Sequence, residues 1–300
     1  MPTGKPTTTA TKVPLSTDFC ADDADVVIRA AGALDFRVHK IVLSLASPVF
    51  KDMFTLPQPP PDKPGTLPHV DVQDPPKAWE IILQTIYPNL PNPKVDTLDD
   101  LESLLHAALA YEMHSIIETY KKAFEDREFV EEDPLYLFVI ACACGFEDQA
   151  AYVARNAELL KVTRRPDPSD LRGFTLSTYC QLVSFLVERD NKWREITGGV
   201  PTGSPYCSHS DSQSRWLESF YNSIGERLLR PCLRTEEVYL KALEDRSCCG
   251  LKGCYSGECQ FGNLKISRFI QERIEKKEKV CDELQPEKWY YPRVTTLHPP

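Results

Sequence analysis

"DFRVHKIVLSLASPVFKDMF", residues 35–54, puts a polar-apolar alternation, a His-Lys pair and two helix-like apolar clusters into twenty positions. Phe36 and Val38 alternate with Arg37 and His39, which predicts a short half-buried strand. "KIVLSLA" predicts a short apolar helix. Ser47 followed by Pro48 marks a second helix start, because serine accepts an orphan N–H and proline fits the first helical position. Val49, Phe50, Met53 and Phe54 then share one apolar face. Upstream, "DVVIRAAGALDFRVH" supplies a strand over Val26 to Arg29, turn chemistry in "AAGALD", and a second strand over Phe36 to His39, the pattern of a hairpin. Such a unit serves either chemistry at His39 or the display of a surface.

Downstream, "TLPQPPPDKPGTLP" excludes regular structure, since successive prolines remove donors and fix φ. "HVDVQD" predicts a short strand, and "PPKAWEIILQTIYPNL" a helix with Trp79, Ile82, Leu83 and Ile86 on one side. Thr97, three residues before Asp100, carries an N-terminal cap signature. It opens a helical stretch whose apolar positions run from Leu98 to Ile117. Beyond about Glu131 strand-like runs vanish, and helices are predicted over 134–145, 147–161, 175–189, 214–229, 235–245 and 263–283. "VTRRPDPSDLRG" and "ITGGVPTGSPYCSHSDSQ" interrupt them as loops, and no fixed period suggests a solenoid.

The 300 residues are long enough for a sizeable core, and 42% hydrophobic with 26% charged residues reads as globular. A formal net charge of −9 argues against broad attraction to phosphate backbones, so nucleic acid is not an expected direct partner. No stretch approaches the roughly 20 uninterrupted apolar residues of a membrane-spanning helix. "MPTGKPTTTATKVPLS" lacks an apolar signal core, and residues 1–17 are expected to be a disordered lead-in. The odd count of eleven cysteines, several inside helix-like segments such as "IACACGF", points to a reducing compartment, cytoplasm or nucleus.

The order of strand, strand ending in "FRVHK", helical hairpin, strand, "AWEIILQTIYP" and a helix pair resembles the BTB/POZ domain. The resemblance is carried by Asp25 to Ile28, Val38-His39-Lys40, Ser47-Pro48-Val49-Phe50, Met53-Phe54 and Tyr111 with Met113, together with Val70, Val72, Asp74 and Tyr87. It implies an α/β interaction module, a small sheet flanked by helical hairpins, over residues 18–125. A mostly α-helical region follows over 126–284, then a tail over 285–300. The helical part is similar to the BACK-like extensions of such proteins, and "EDPLYLFVIACACGFEDQAAYVARNAELL" to those of fungal, basidiomycete-type members. No kelch, MATH-type or finger motifs accompany it. The resemblance implies no catalysis. It implies a homodimer or a BTB partner, with Asp25 and Lys40 in a charged pocket beside His39, and a scaffold role or adaptor role toward a cullin-type ubiquitin ligase. Cullin-recruiting relatives often carry a hydrophobic residue, any residue, then Glu after the "MF" helix; here Leu56 is followed by Pro57 and Gln58.

Read from the residues alone, His39 is either a general base, which needs a nucleophile nearby, or a half-buried imidazole tying a strand end to its neighbours. The second reading is the expectation. Asp25 as a buried or half-buried carboxylate needs a partner, and Lys40 is the candidate. In the C-terminal half, "YCSHSDS" and "SCCGLKGCYSGEC" bring Cys207, His209, Cys249, Cys254 and Cys259 into consideration as a structural zinc shell stapling 207–259. Free thiols, or a disulfide in an oxidising compartment, are the other readings. The competing functional classes are a metal-dependent enzyme or effector using these cysteines, and a transcription regulator, which would need a basic reading element the sequence does not show.

Overall fold

The computed structural model describes residues 13–57, 66–88, 90, 93–163, 175–197 and 261–284. They fall into two compact units that divide between Ala123 and Phe124. The helices predicted over 214–229 and 235–245 and the tail over 285–300 lie outside the described residues.

The first unit is built on a four-stranded sheet in the order β1-β3-β2-β4, with β1 at Leu15–Cys20, β2 at Val26–Ala30, β3 at Leu34–Val38 and β4 at His69–Val72. β2 and β3 form the antiparallel hairpin, in register from Val26↔Val38 to Ala30↔Leu34. Ala31 and Gly32 both have positive φ, 45° and 66°, and the Ala33 N–H donates to the Ala30 carbonyl at 2.8 Å. The connection has three residues, and positive φ at Ala31 and Gly32, the two central positions of a β-turn from Ala30 to Ala33, gives the turn a twist that suits the right-handed twist of its strands. The two-residue period buries Val26, Ile28, Ala30, Phe36 and Val38 on one face. On the other face Arg29 clasps Asp35 with two bonds of 2.7 and 3.0 Å across a directly paired position.

Leu15, Ser16 and Thr17, placed by the sequence in a disordered lead-in over 1–17, belong to a strand instead, because β1 starts at Leu15 and pairs parallel with β3 through an irregular register. The physical reason is Phe19, buried with its ring edge-on to Phe36 at 6.1 Å and to Tyr87 at 5.5 Å. One aromatic side chain anchors a segment whose other positions are mostly exposed. β4 joins the opposite edge, parallel to β2.

The helical hairpin follows as α1, Lys40–Ala46, and α2, Pro48–Thr55. Ser47 caps α2 by accepting the Phe50 N–H at 3.1 Å, with Pro48 at the first helical position. α3, Pro76–Ile86, buries Ala78, Trp79, Ile81, Ile82 and Leu83. In α4, Leu98–Ala110, Thr97 accepts the Asp100 N–H at 3.1 Å. The run from Leu98 to Ile117 is broken in two, because Glu112 takes φ of 52° and starts a new helix, α5, at His114–Tyr120. The Glu112 N–H donates to Leu109 and the Met113 N–H to Ala108, the paired bonds of a Schellman ending.

In the second unit α6 at Arg127–Glu132, not anticipated from the sequence, is capped by Asp126, which accepts the Glu128 N–H at 2.9 Å. α7, Pro134–Ala143, is apolar almost all round and buries eight of its ten residues. It ends in a second Schellman motif at Gly145, φ 72°. The single helix expected over 147–161 is two, α8 at Glu147–Asn156 and α9 at Leu159–Thr163. Ala157 is extended at the C-cap of α8. α10 runs Leu176–Thr197, longer than expected, and α11 runs Phe261–Leu284. Fully buried Arg189 of α10 accounts for the α8 break: its guanidinium donates to the carbonyls of Ala154 and Arg155 at 3.0 Å and of Ala157 at 2.9 Å. These are the carbonyls a helix end leaves without partners. α10 and α11 pack through Trp193, Val280 and Cys281. No described helix is long and apolar enough to cross a membrane.

Candidate functional site

The residues singled out from the sequence, Asp25, His39 and Lys40, meet at the start of α1. The Asp25 carboxylate accepts the Lys40 backbone N–H at 2.7 Å. This corrects two expectations: Asp25 is exposed, and its partner is the main chain of Lys40, whose ammonium lies 5.6 Å above the Phe54 ring. The cause is the open helix end. His39 at the N-cap offers no side-chain bond to the first turn, so a carboxylate from the neighbouring loop takes that place, where the helix dipole favours negative charge.

His39 is half-buried. Its N–H donates to the Tyr87 hydroxyl at 3.0 Å, its Nδ1 lies 2.9 Å from the same oxygen, and its Nε2 lies 3.4 Å from the Asp23 carboxylate. With a neutral imidazole, the arrangement that satisfies all three contacts has the Tyr87 O–H donating to Nδ1 and the ring proton on Nε2 facing Asp23. Burial pushes the Tyr87 phenol up, against the His39 N–H that lowers it; Asp25 and Asp23 add smaller upward pushes. The phenol therefore keeps the proton this arrangement needs. Among the described residues the contacts of His39 are to Tyr87 and Asp23, and none is to a serine, threonine or cysteine.

α1 thus held presents two faces. Leu43 is fully buried, whereas Ile41 is 64% and Leu45 82% exposed. Four residues apart, these two lie one above the other on a single face. Leu56, at the end of α2, is 63% exposed.

Beneath this surface α2 is anchored by aromatic rings. Phe50 stacks on Tyr111 at 4.9 Å and meets Trp79 edge-on at 5.8 Å, and Trp79 meets Tyr111 at 5.3 Å. Burial, with Asp74 as a second cause, pushes the Tyr111 phenol up to about 12. Asp74 itself is raised by burial; the Trp79 indole, its own backbone and His106 pull it part of the way back. The indole N–H of Trp79 is nevertheless buried without a well-formed hydrogen bond, so its link to Asp74 is long or bent.

Cys207, His209, Cys249, Cys254 and Cys259 all lie outside the described residues. Among the described residues no group of three or more His, Cys, Asp or Glu side chains is placed to hold a metal ion, and the cysteines described, Cys20, Cys142, Cys144, Cys180 and Cys281, form no disulfide with one another. Burial raises the Cys142 and Cys281 thiols, which keeps them protonated and inert. Sequence reasoning missed the pairing of His39 with Tyr87, 48 positions away, and the exposed pair Ile41 and Leu45. The second was detectable as surplus apolar positions on a seven-residue helix.

Residues 18–128 match the family model described as the BTB/POZ domain. No curated protein matches the chain. Among solved structures the chain is similar to the BTB domain of zebrafish PATZ1, at 24% identity over 34% of this chain and 75% of that one, with a TM-score of 0.27.

Proposed function

We propose, from the BTB/POZ domain that residues 18–128 form, that this protein works by binding other proteins and first of all a second copy of itself. Such a domain is an interaction and oligomerisation module, typically without catalysis; BTB domains commonly dimerise. The observation that carries the reading is the division of α1, with Leu43 buried inward and Ile41 and Leu45 exposed outward. Covering an aliphatic side chain of this kind is worth roughly 1.5–3 kcal/mol, so a copy that shields both faces gains from association. A two-fold axis beside α1 sets each patch against its own counterpart, with Asp25, His39 and Lys40 at the rim as the charged pocket. Light scattering over a range of concentrations tests this: a dimer is expected. A strict monomer that also retains no partner in pulldowns overturns it.

The finer reading is a scaffold, or an adaptor for a cullin-type ubiquitin ligase, in a reducing cytoplasmic or nuclear compartment of a fungal cell. Leu56 is exposed where a partner could reach it, and buried unpaired thiols at Cys142 and Cys281 suit a reducing compartment. The residues after Leu56, Pro57 and Gln58, place the weight of any cullin contact on the helices. A pulldown with purified cullin decides between adaptor and scaffold. The second unit serves here as a separate binding surface, a BACK-like helical extension. No cofactor is required, and elemental analysis of chelator-washed protein checks that against a zinc staple at Cys207, His209, Cys249, Cys254 and Cys259.

A further inference from the structure

We draw no further inference here: the strongest candidate, the side-chain cluster where Cys281 lies buried near Arg189, Arg155 and Lys277 in the packing of α10 on α11, offers a lone thiol with no second observation among the described residues that points to a ligand.

Discussion

Ser47 joins the two halves of the helical scaffold through Tyr111: its Oγ donates to the Tyr111 carbonyl at 2.5 Å while accepting the Phe50 N–H at 3.1 Å. One hydroxyl, fully buried, thereby caps the start of α2 and satisfies a carbonyl at the end of α4. Its removal leaves a donor and an acceptor unpaired in a dry setting.

Ser47→Ala is accordingly expected to cost about 2–3 kcal/mol, combining a lost N-cap with a buried unsatisfied carbonyl. Urea unfolding followed by circular dichroism measures it. A loss no larger than that of an exposed serine would show that water reaches both groups.

The two Schellman endings make a matched pair. α4 ends with Glu112 at φ 52° and α7 with Gly145 at φ 72°, and each is followed by the same two backbone bonds. A side chain in the left-handed region costs roughly 1–2 kcal/mol that glycine escapes. Glu112→Gly should therefore stabilise the protein by up to about 1 kcal/mol, glycine's larger unfolded-state entropy offsetting part of the gain. Gly145→Ala should destabilise by about 1 kcal/mol. Nothing lies within 4 Å of a Cβ built at Gly145, so the effect is backbone strain alone. Thermal melts of both variants, moving in opposite directions, test the account; equal losses would refute it.

These endings also show what the sequence makes legible. "CACGF" declares its stop with a glycine, whereas "LAYEMHS" uses glutamate, so the break there shows in the resemblance to a helix pair and not in the local chemistry. The hairpin, the Ser47-Pro48 start and the Thr97 cap follow from bonds between residues a few positions apart, which is why local chemistry predicts them. β1 does not, because its single anchor, Phe19, gains its meaning from Tyr87 at the far end of α3. The candidate site divides in the same way: "VHK" marks the position, but that Asp25 bonds the Lys40 main chain depends on how a loop crosses a helix end.

Asp74 carries a pH prediction. Burial raises its folded-state pKa above the ordinary aspartate value of 3.8, so the folded chain holds the proton more tightly than the unfolded one. The stability this contributes is fully present below the unfolded value and is lost as pH rises through the folded one. Asp74→Asn keeps an acceptor near the Trp79 indole and removes the charge. Its stability relative to the wild type should therefore improve progressively from about pH 3 to about pH 7. Urea midpoints across that range measure it, and a variant whose relative stability falls with rising pH reverses the sign and defeats the argument.

Arg189 holds three carbonyls at the α8 end, pairs with Asp190 at 2.6 Å and stacks on Trp193 at 4.3 Å. Arg189→Ala should cost at least about 3 kcal/mol, since it strands buried acceptors and empties a packed site. Arg189→Lys should recover only part, because a point ammonium cannot reach carbonyls spread over a planar fork. Hydrogen exchange at Ala157 and along α9 reads out the local effect. Protection unchanged in both variants would mean that α8 ends there for another reason.

The oligomerisation reading gives the last prediction its form. Ile41→Asp with Leu45→Asp places two carboxylates where the monomer already exposes the wild-type side chains, so folding is expected to change by no more than about 0.5 kcal/mol. In a two-fold dimer the same substitutions bring four carboxylates into one desolvated patch, and several kcal/mol of burial turn into repulsion. Sedimentation should then show a weakening of self-association by at least about a hundredfold, while the unfolding of a matched monomeric sample stays the same. The control is Lys51→Asp, an exposed charge change on α2, expected to leave association within about threefold. A double variant that dimerises as tightly as the wild type places the contact elsewhere and withdraws α1 as the interface, whatever the dimer itself turns out to use.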